Sequence, residues 1–140
     1  MAENGFFQLT QKIFIRNHQS ILVLRDRKSG VGDLPGGRMT EEEFFGDWVK
    51  SLERELVEEL GENFQLQIDP DPIFLKKHRV EEGQFPCMIL AYKGIYSGGV
   101  VQLSDEHDYF DWVDSKNFDP GALFSGYMLE AVDYYLKKYS

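Results

Sequence analysis

Trp48, Val49, Leu52, Leu56 and Leu60 recur at three- and four-residue steps, and this spacing constrains the chain more than any other feature in it. At about 100° of rotation per residue these side chains share one side of a helix, so residues 47–60 must cover an apolar surface. Asp47 offers an N-cap and Gly61 a C-cap. Thr40 with Glu43 forms a capping-box pattern that would start a helix earlier, and Gly46 interrupts any helix between the two. The surface to be covered comes from short apolar runs of strand type. Residues 12–16 and 20–25 read as a hairpin that turns through Asn17-His18-Gln19. Asp69-Pro70-Asp71-Pro72 reads as a rigid turn, and further strands are expected at 73–79, 87–96, 100–103 and 109–113, punctuated by glycines at 83, 94, 98 and 99. A last helix starts at Asp119-Pro120 and carries the apolar stripe Phe124, Tyr127, Met128, Ala131 and Tyr135. The order of strands, helix, strands and helix predicts an α/β (α+β) chain, a mixed sheet with helices packed against it.

Length and composition fit that picture. With 140 residues, 42% of them hydrophobic, and no repeat or Pro/Gly/Ser-rich linker, a single domain over residues 1–140 with one core is expected. The formal net charge of −9 gives the chain no electrostatic reason to hold long nucleic acid. The single cysteine, Cys87, excludes an internal disulfide and a thiolate metal cluster. It lies in the run Pro86-Cys87-Met88-Ile89-Leu90-Ala91 and is expected as a small buried hydrophobe. The first residues show no signal-peptide pattern, and no apolar run approaches the ~20 residues that cross a bilayer. A cytoplasmic protein without a membrane partner is expected. His18, His78 and His107 have no metal-binding spacing and are expected to be structural or exposed, with His107 alone near the functional segments.

The chemistry is concentrated on the helix at 47–60. Glu55 and Glu59 stand one turn apart, Glu58 lies beside both, and Glu59 falls at the boundary of the apolar stripe, between the directions of Trp48 and Leu52. Like charges at this spacing weaken a helix by a few tenths of a kcal/mol. Glu58, Glu59 and Glu62 also oppose the macrodipole at the helix C-terminus. Local rules broken together tend to mark a site, and a hard divalent cation with oxygen ligands would relieve the repulsion. Upstream, Leu34-Pro35-Gly36-Gly37 imposes a backbone path that other residues resist.

These two segments together resemble the Nudix hydrolase box. Arg54-Glu55-Leu56-Val57-Glu58-Glu59-Leu60-Gly61 matches its second half at each required position, and Leu34-Pro35-Gly36-Gly37-Arg38 matches its lead-in. Five residues separate Gly37 from Glu43 as the pattern asks, but ten (residues 44–53) separate Glu43 from Arg54 where the family has seven. Counting back from Arg54 places Gly46 where the family's first Glu stands, so the loop is three residues longer. The aliphatic position after Gly61 holds Glu62, and Gly32-Asp33 replaces the usual aromatic before the lead-in. Leu103-Ser104-Asp105-Glu106-His107-Asp108-Tyr109-Phe110-Asp111-Trp112-Val113 resembles the family segment in which an acid precedes a Trp-containing strand, with Glu106 the first candidate and Asp105 and Asp108 behind it.

The resemblance implies an α/β/α sandwich and hydrolysis of a pyrophosphate bond in a nucleoside diphosphate linked to another moiety, of the nucleotide sugar, dinucleoside polyphosphate or NTP class. It implies Mg²⁺, with Mn²⁺ able to substitute, held by Glu55, Glu58, Glu59 and the carbonyl of Gly36. Glu55 or Glu106 would take a proton and Arg54 would orient Glu55. Gly37, Arg38 and Arg25 are the candidates for contact with phosphate. The implied partner is a small nucleotide, with a homodimer left open. An isoprenoid diphosphate isomerase of the same fold would call for a nucleophilic Cys and a modified box. A non-catalytic nucleotide-binding regulatory module would have lost the Arg-Glu and Glu-Glu pairs, which this chain keeps. Removal of pyrophosphate from RNA 5′ ends would draw on Lys76, Lys77 and Arg79.

Overall fold

The computed structural model describes residues 2–79 and 85–139. Eight strands form a mixed sheet. In chain order they are β1 (Gln8–Asn17), β2 (Ser20–Asp26), β3 (Gly32–Asp33), β4 (Gly36–Arg38), β5 (Gln65–Ile68), β6 (Phe74–Arg79), β7 (Pro86–Gly98) and β8 (His107–Asp114). The helices are α1 (Glu41–Phe45), α2 (Trp48–Leu60) and α3 (Gly126–Tyr139). The sheet runs β3-β2-β1-β7-β5, with β4 also on β1, β6 on β7 and β8 on β2. β1 and β7 pair in parallel from Gln8↔Cys87 to Arg16↔Ile95, and every other pairing is antiparallel.

The period-2 alternation of the central strands divides their apolar side chains between two faces. Phe14, Ile21, Val23, Ile89 and Ala91 point to the face covered by Met128, Ala131, Val132 and Tyr135 of α3. Ile13, Ile15, Leu22, Leu24, Leu90 and Tyr92 point to the other, where Leu52, Leu56 and Leu60 of α2 meet them. Two apolar layers replace the one core expected from composition, because a sheet buried on both faces must split its core. Phe14 and Tyr135 stack across the α3 layer at 3.9 Å between ring centroids. The result is an α/β/α sandwich, as the pattern of elements and the resemblance both implied.

Several boundaries differ from the reading of the sequence. α2 carries the expected caps: Asp47 accepts from the Val49 and Lys50 N–H groups, and the Gly61 N–H donates to the Val57 carbonyl. The Thr40–Glu43 capping box starts a separate short helix, α1, that ends at Gly46. Residues 100–103 form no strand. The Gln102 N–H instead bonds the Leu60 carbonyl at the end of α2, while Val101 and Leu103 pack on the α2 layer. Asp119 and Pro120 open a 3₁₀ turn (Pro120–Ala122), and α3 begins only at Gly126, whose φ of 58° breaks the path between them. Tyr127 of the expected stripe is consequently exposed, and Val132 takes a buried place. Gly94 lies inside β7 rather than at its end, and Gly83 lies outside the described residues. Cys87 is buried as expected, with its Sγ 3.0 Å from the Thr10 hydroxyl.

What seats α2 on the sheet is a buried polar side chain. Gln11 of β1 donates from Nε2 to the Trp48 carbonyl (2.8 Å), and its Oε1 accepts from the Ser51 hydroxyl (2.8 Å). Replacing Gln11 by Leu removes both bonds, each worth about 0.5–1.5 kcal/mol, and leaves the Ser51 hydroxyl only its bond to the Trp48 carbonyl at 2.9 Å. Urea unfolding of Gln11→Leu is expected to show a lower midpoint at unchanged slope; an unmoved midpoint would mean that the helix is seated by its apolar stripe alone.

Candidate active site

The functional end of the sheet is where β1 changes character. Residues 13–15 are apolar, whereas Thr10, Gln11 and Lys12, one turn of the pleat earlier, are buried and polar. Beside them, β4 pairs with β1 through Thr10↔Arg38, Gln11↔Gly37 and Lys12↔Gly36. A Cβ on Gly36 would stand 1.9 Å from the Gln11 carbonyl oxygen, and its φ is 133°, so only glycine lets β4 lie this close. A Cβ on Gly37 would strike the Glu55 carboxyl group at 2.6 Å. Gly36 thus makes room for the β1 backbone, and Gly37 for a carboxylate from α2.

Glu59 is the innermost of these acids. It is 4% exposed, and its Oε1 accepts from the Gly36 N–H at 2.8 Å. Burial pushes its pKa up to about 7, against the pull of Lys12 and of the Gly36 N–H. Glu55, half-buried, is also raised by burial, against the attraction of Arg54. Glu58 projects outward at 58% side-chain exposure and accepts from Arg54 Nη1 at 2.9 Å. The helix therefore does not aim its three glutamates at one point. It presents one deep, one intermediate and one outer carboxylate.

Arg54 organises the outer two. Its Nη2 donates to Glu55 at 3.1 Å and to Glu43 at 2.6 Å. Glu43, which spacing alone left without a role, therefore works twice. Oε1 closes the α1 capping box on the Thr40 N–H, and Oε2 takes Arg54, which holds the Glu43 pKa low. The three extra residues lie in the stretch between Glu43 and Arg54 that holds the end of α1, Gly46 and Asp47. They leave the glutamate in reach of its arginine.

Beneath Glu59 lies a charged group that sequence reasoning missed. Lys12, 7% exposed, donates to the Leu34 carbonyl at 3.0 Å and pairs with Asp33 Oδ1 at 2.9 Å. Burial alone would lower its pKa, but Asp33 and Glu59 outweigh burial and raise it, so the amine keeps its charge. Asp33 Oδ2 takes His107 Nε2 at 2.9 Å. Burial would lift the Asp33 pKa, yet Lys12 and His107 hold it far below the carboxylate range. The only signal in the sequence was a lysine heading an apolar strand, and burying it requires partners that are distant in the chain.

The cleft above this floor measures about 1390 Å³ and is rimmed by Arg27, Arg38 and Arg79, with acids at its base. Glu106 reaches it from the turn before β8. One ligand atom each of Glu59, Glu106 and His107 lie within 4.8 Å of one another, the convergent set among the described residues. Arg38 lines the cleft as expected. Arg25 does not. It pairs with Asp108 at 2.9 Å and lies over the Tyr109 ring, on the strand surface outside the cleft. Asp108 is thereby engaged, while Asp105 lines the cleft. The expected basic patch also divides: Lys76 and Lys77 sit over Tyr134 and Tyr127 of α3, and only Arg79 of the three reaches the cleft.

No protein-family model and no curated protein matches the sequence. Solved structures do. The chain is similar to the MutT protein from Methanosarcina mazei Go1, with a TM-score of 0.74 and 20% identity over 98% of each chain. It is similar to a hydrolase of the NUDIX family from Clostridium perfringens, with a TM-score of 0.73 and 14% identity over 92% of this chain and 95% of that one. A MutT NUDIX hydrolase from Burkholderia pseudomallei aligns with a TM-score of 0.69 and 17% identity over 95% and 98%. At these identities the likeness is one of architecture, and the architecture of this chain is the Nudix hydrolase fold.

Proposed function

We propose that this protein hydrolyses a pyrophosphate bond in a nucleoside diphosphate linked to another moiety, with the help of a divalent metal ion. The observation that carries the reading is Glu59, an ionisable carboxylate kept from water against the Gly36 N–H at the base of a cleft rimmed by arginines. A protein does not bury such a group without a compensating partner, and anionic phosphate at the rim with a cation at the floor satisfies both ends.

The donor set is all oxygen and suits Mg²⁺, with Mn²⁺ able to substitute. Glu59 and the Gly36 carbonyl would hold the ion, with Glu55 alongside, and Glu58 would join them by turning away from Arg54. When bound it would neutralise developing phosphate charge and lower the pKa of a coordinated water. Glu55 is the residue suited to take a proton. It sits against Gly37, where backbone can approach phosphate closely, and its raised pKa keeps it a usable base. Arg54 is a positioning residue, since its contacts are to Glu43, Glu55 and Glu58. Arg38 and Arg79 line the cleft and would hold the phosphate oxygens. A protein of net charge −9 that presents arginines at one cleft draws small anions there and offers long nucleic acid no extended track. The cytoplasm remains the proposed location.

Purified protein with Mg²⁺ or Mn²⁺ should turn over at least one of ADP-ribose, nucleotide sugars, dinucleoside polyphosphates, NTPs or capped RNA. Silence across the whole panel with both ions would defeat the reading. Glu59→Gln and Glu55→Gln should each lower kcat by about 10²–10⁴-fold. Arg25→Ala, outside the cleft, should change it less than about threefold.

Glu59 also sets a pH dependence of stability. An acid whose folded pKa is raised from 4.5 to about 7 contributes nothing below the unfolded value. It destabilises increasingly as pH rises through the folded value, by up to about 3 kcal/mol. In metal-free protein, Glu59→Gln is therefore expected to raise Tm at pH 8 and to leave it nearly unchanged at pH 4.5. Equal Tm values for the two proteins at pH 8 would show that Lys12 already neutralises the burial penalty.

A further inference from the structure

Among the described residues two buried side-chain nitrogens have no hydrogen-bond partner, His78 Nδ1 and His107 Nδ1, and both residues line the cleft. His107 is 2% exposed and opens β8, with its Nε2 committed to Asp33 Oδ2 at 2.9 Å, and its Nδ1 accepts and donates no hydrogen bond. Leaving such an atom unsatisfied costs about 1–3 kcal/mol. The same residue belongs to the convergent set with Glu59 and Glu106, whose ligand atoms lie within 4.8 Å of one another. Two metal–ligand bonds of about 2.0–2.2 Å span at most ~4.4 Å, so a small movement of the exposed Glu106 side chain closes the set around an ion.

We infer that Glu59, Glu106 and His107 form a mixed nitrogen–oxygen metal position that takes a borderline divalent ion such as Co²⁺ or Zn²⁺ in preference to Mg²⁺. The inference rests on the metal-dependent reading of the cleft, shares Glu59 with it, and adds Glu106 and a nitrogen ligand that the helix glutamates do not supply. Three features of this chain support it. Asp33 holds Nε2 and leaves Nδ1 as the uncommitted ring nitrogen, an arrangement in which a carboxylate fixes the tautomer and orientation of a metal-bound histidine. Charge balances as well. Asp33, Glu59 and Glu106 bring three negative charges and Lys12 one positive, which leaves the deficit that a divalent cation fills. Finally, imidazole is a favoured ligand of borderline metals and a poor one for Mg²⁺, which asks for oxygen.

The test uses full-length, ¹⁵N-labelled, metal-free protein and follows the histidine rings by long-range ¹H–¹⁵N correlation. Stoichiometric Zn²⁺ should move one Nδ1 resonance to the metal-bound range, and Mg²⁺ in large excess should leave it in place. His107→Gln should remove that resonance and weaken Zn²⁺ binding, measured by calorimetry, by about 10–100-fold. Should His107→Gln fail to fold, Glu106→Gln, altered at an exposed side chain, should weaken Zn²⁺ to the same extent. An imidazole spectrum unmoved by saturating Zn²⁺, or Zn²⁺ affinity unchanged in Glu106→Gln, overturns the inference. Its failure is distinguishable from failure of the hydrolytic reading. Turnover with Mg²⁺ beside a silent His107 sinks only the nitrogen-bearing position. A shifted His107 in a protein that hydrolyses nothing sinks only the catalytic reading.

Discussion

The contact between the Glu59 carboxylate and the Gly36 N–H, 2.8 Å long and shut away from solvent, joins the acidic helix to the glycine strand. Everything around it is arranged to tolerate that charge. Gly36 has no side chain because the Gln11 carbonyl occupies the place of its Cβ. Lys12 comes up from β1 with its ammonium held by Leu34 and Asp33. His107 in turn holds Asp33 from β8. Four separate segments thus converge on one carboxylate, and none of them satisfies it fully, because burial still lifts its pKa to about 7. A stable fold gains nothing from this arrangement by itself, since replacing buried ion clusters with apolar side chains is often neutral or stabilising. The cluster makes sense as a site kept under electrostatic tension for a ligand.

β1 shows how one strand serves both fold and chemistry. Its later half, Ile13-Phe14-Ile15, feeds apolar side chains alternately to the α2 and α3 layers. Its earlier half supplies Thr10 to Cys87, Gln11 to α2 and Lys12 to the acidic floor. Because β1 is central and pairs with β7 over nine residues, from Gln8 to Arg16, these polar groups stand at the centre of the sheet. The carboxylates of α2 are tied to it through Gln11 and Ser51. Precision at the cleft therefore comes from buried hydrogen bonds rather than from the loops that surround it.

What the sequence made legible was local. The α2 caps, the interruption at Gly46 and the boundary position of Glu59 all follow from spacing within a few turns, and the structure shows each of them. The pairing of Glu43 with Arg54 was hidden because ten intervening residues conceal a fold-back that only α1 and its cap create. Residues 100–103 read as a strand because three of the four are apolar and two are β-branched, yet their backbone is used to close the end of α2. β5, four residues long, and the glycine strands β3 and β4 carry too little pattern to announce themselves. Lys12, Asp33 and His107 were illegible for a different reason. Each looks ordinary alone, and only tertiary proximity turns a strand lysine, a loop aspartate and a lone histidine into one buried network.

Charge is partitioned by the same logic. The chain as a whole is acidic, and its arginines are spent unevenly: Arg16 and Arg25 lie against Tyr135 and Tyr109, and Arg54 binds three glutamates. Arg27, Arg38 and Arg79 remain at the cleft, where a low-dielectric floor focuses their field. An anionic ligand is thus repelled by most of the surface and attracted at one place. Such attraction at the rim falls with ionic strength, because the arginines are exposed and screened within a Debye length of about 8–10 Å. The floor behaves otherwise, since Glu59, Lys12 and Asp33 interact out of reach of bulk ions. On the proposed function, capture of a phosphate and the chemistry done on it should accordingly respond differently to salt: the first should weaken with added electrolyte, and the second should be held constant by the geometry that β1 and Gly36 impose.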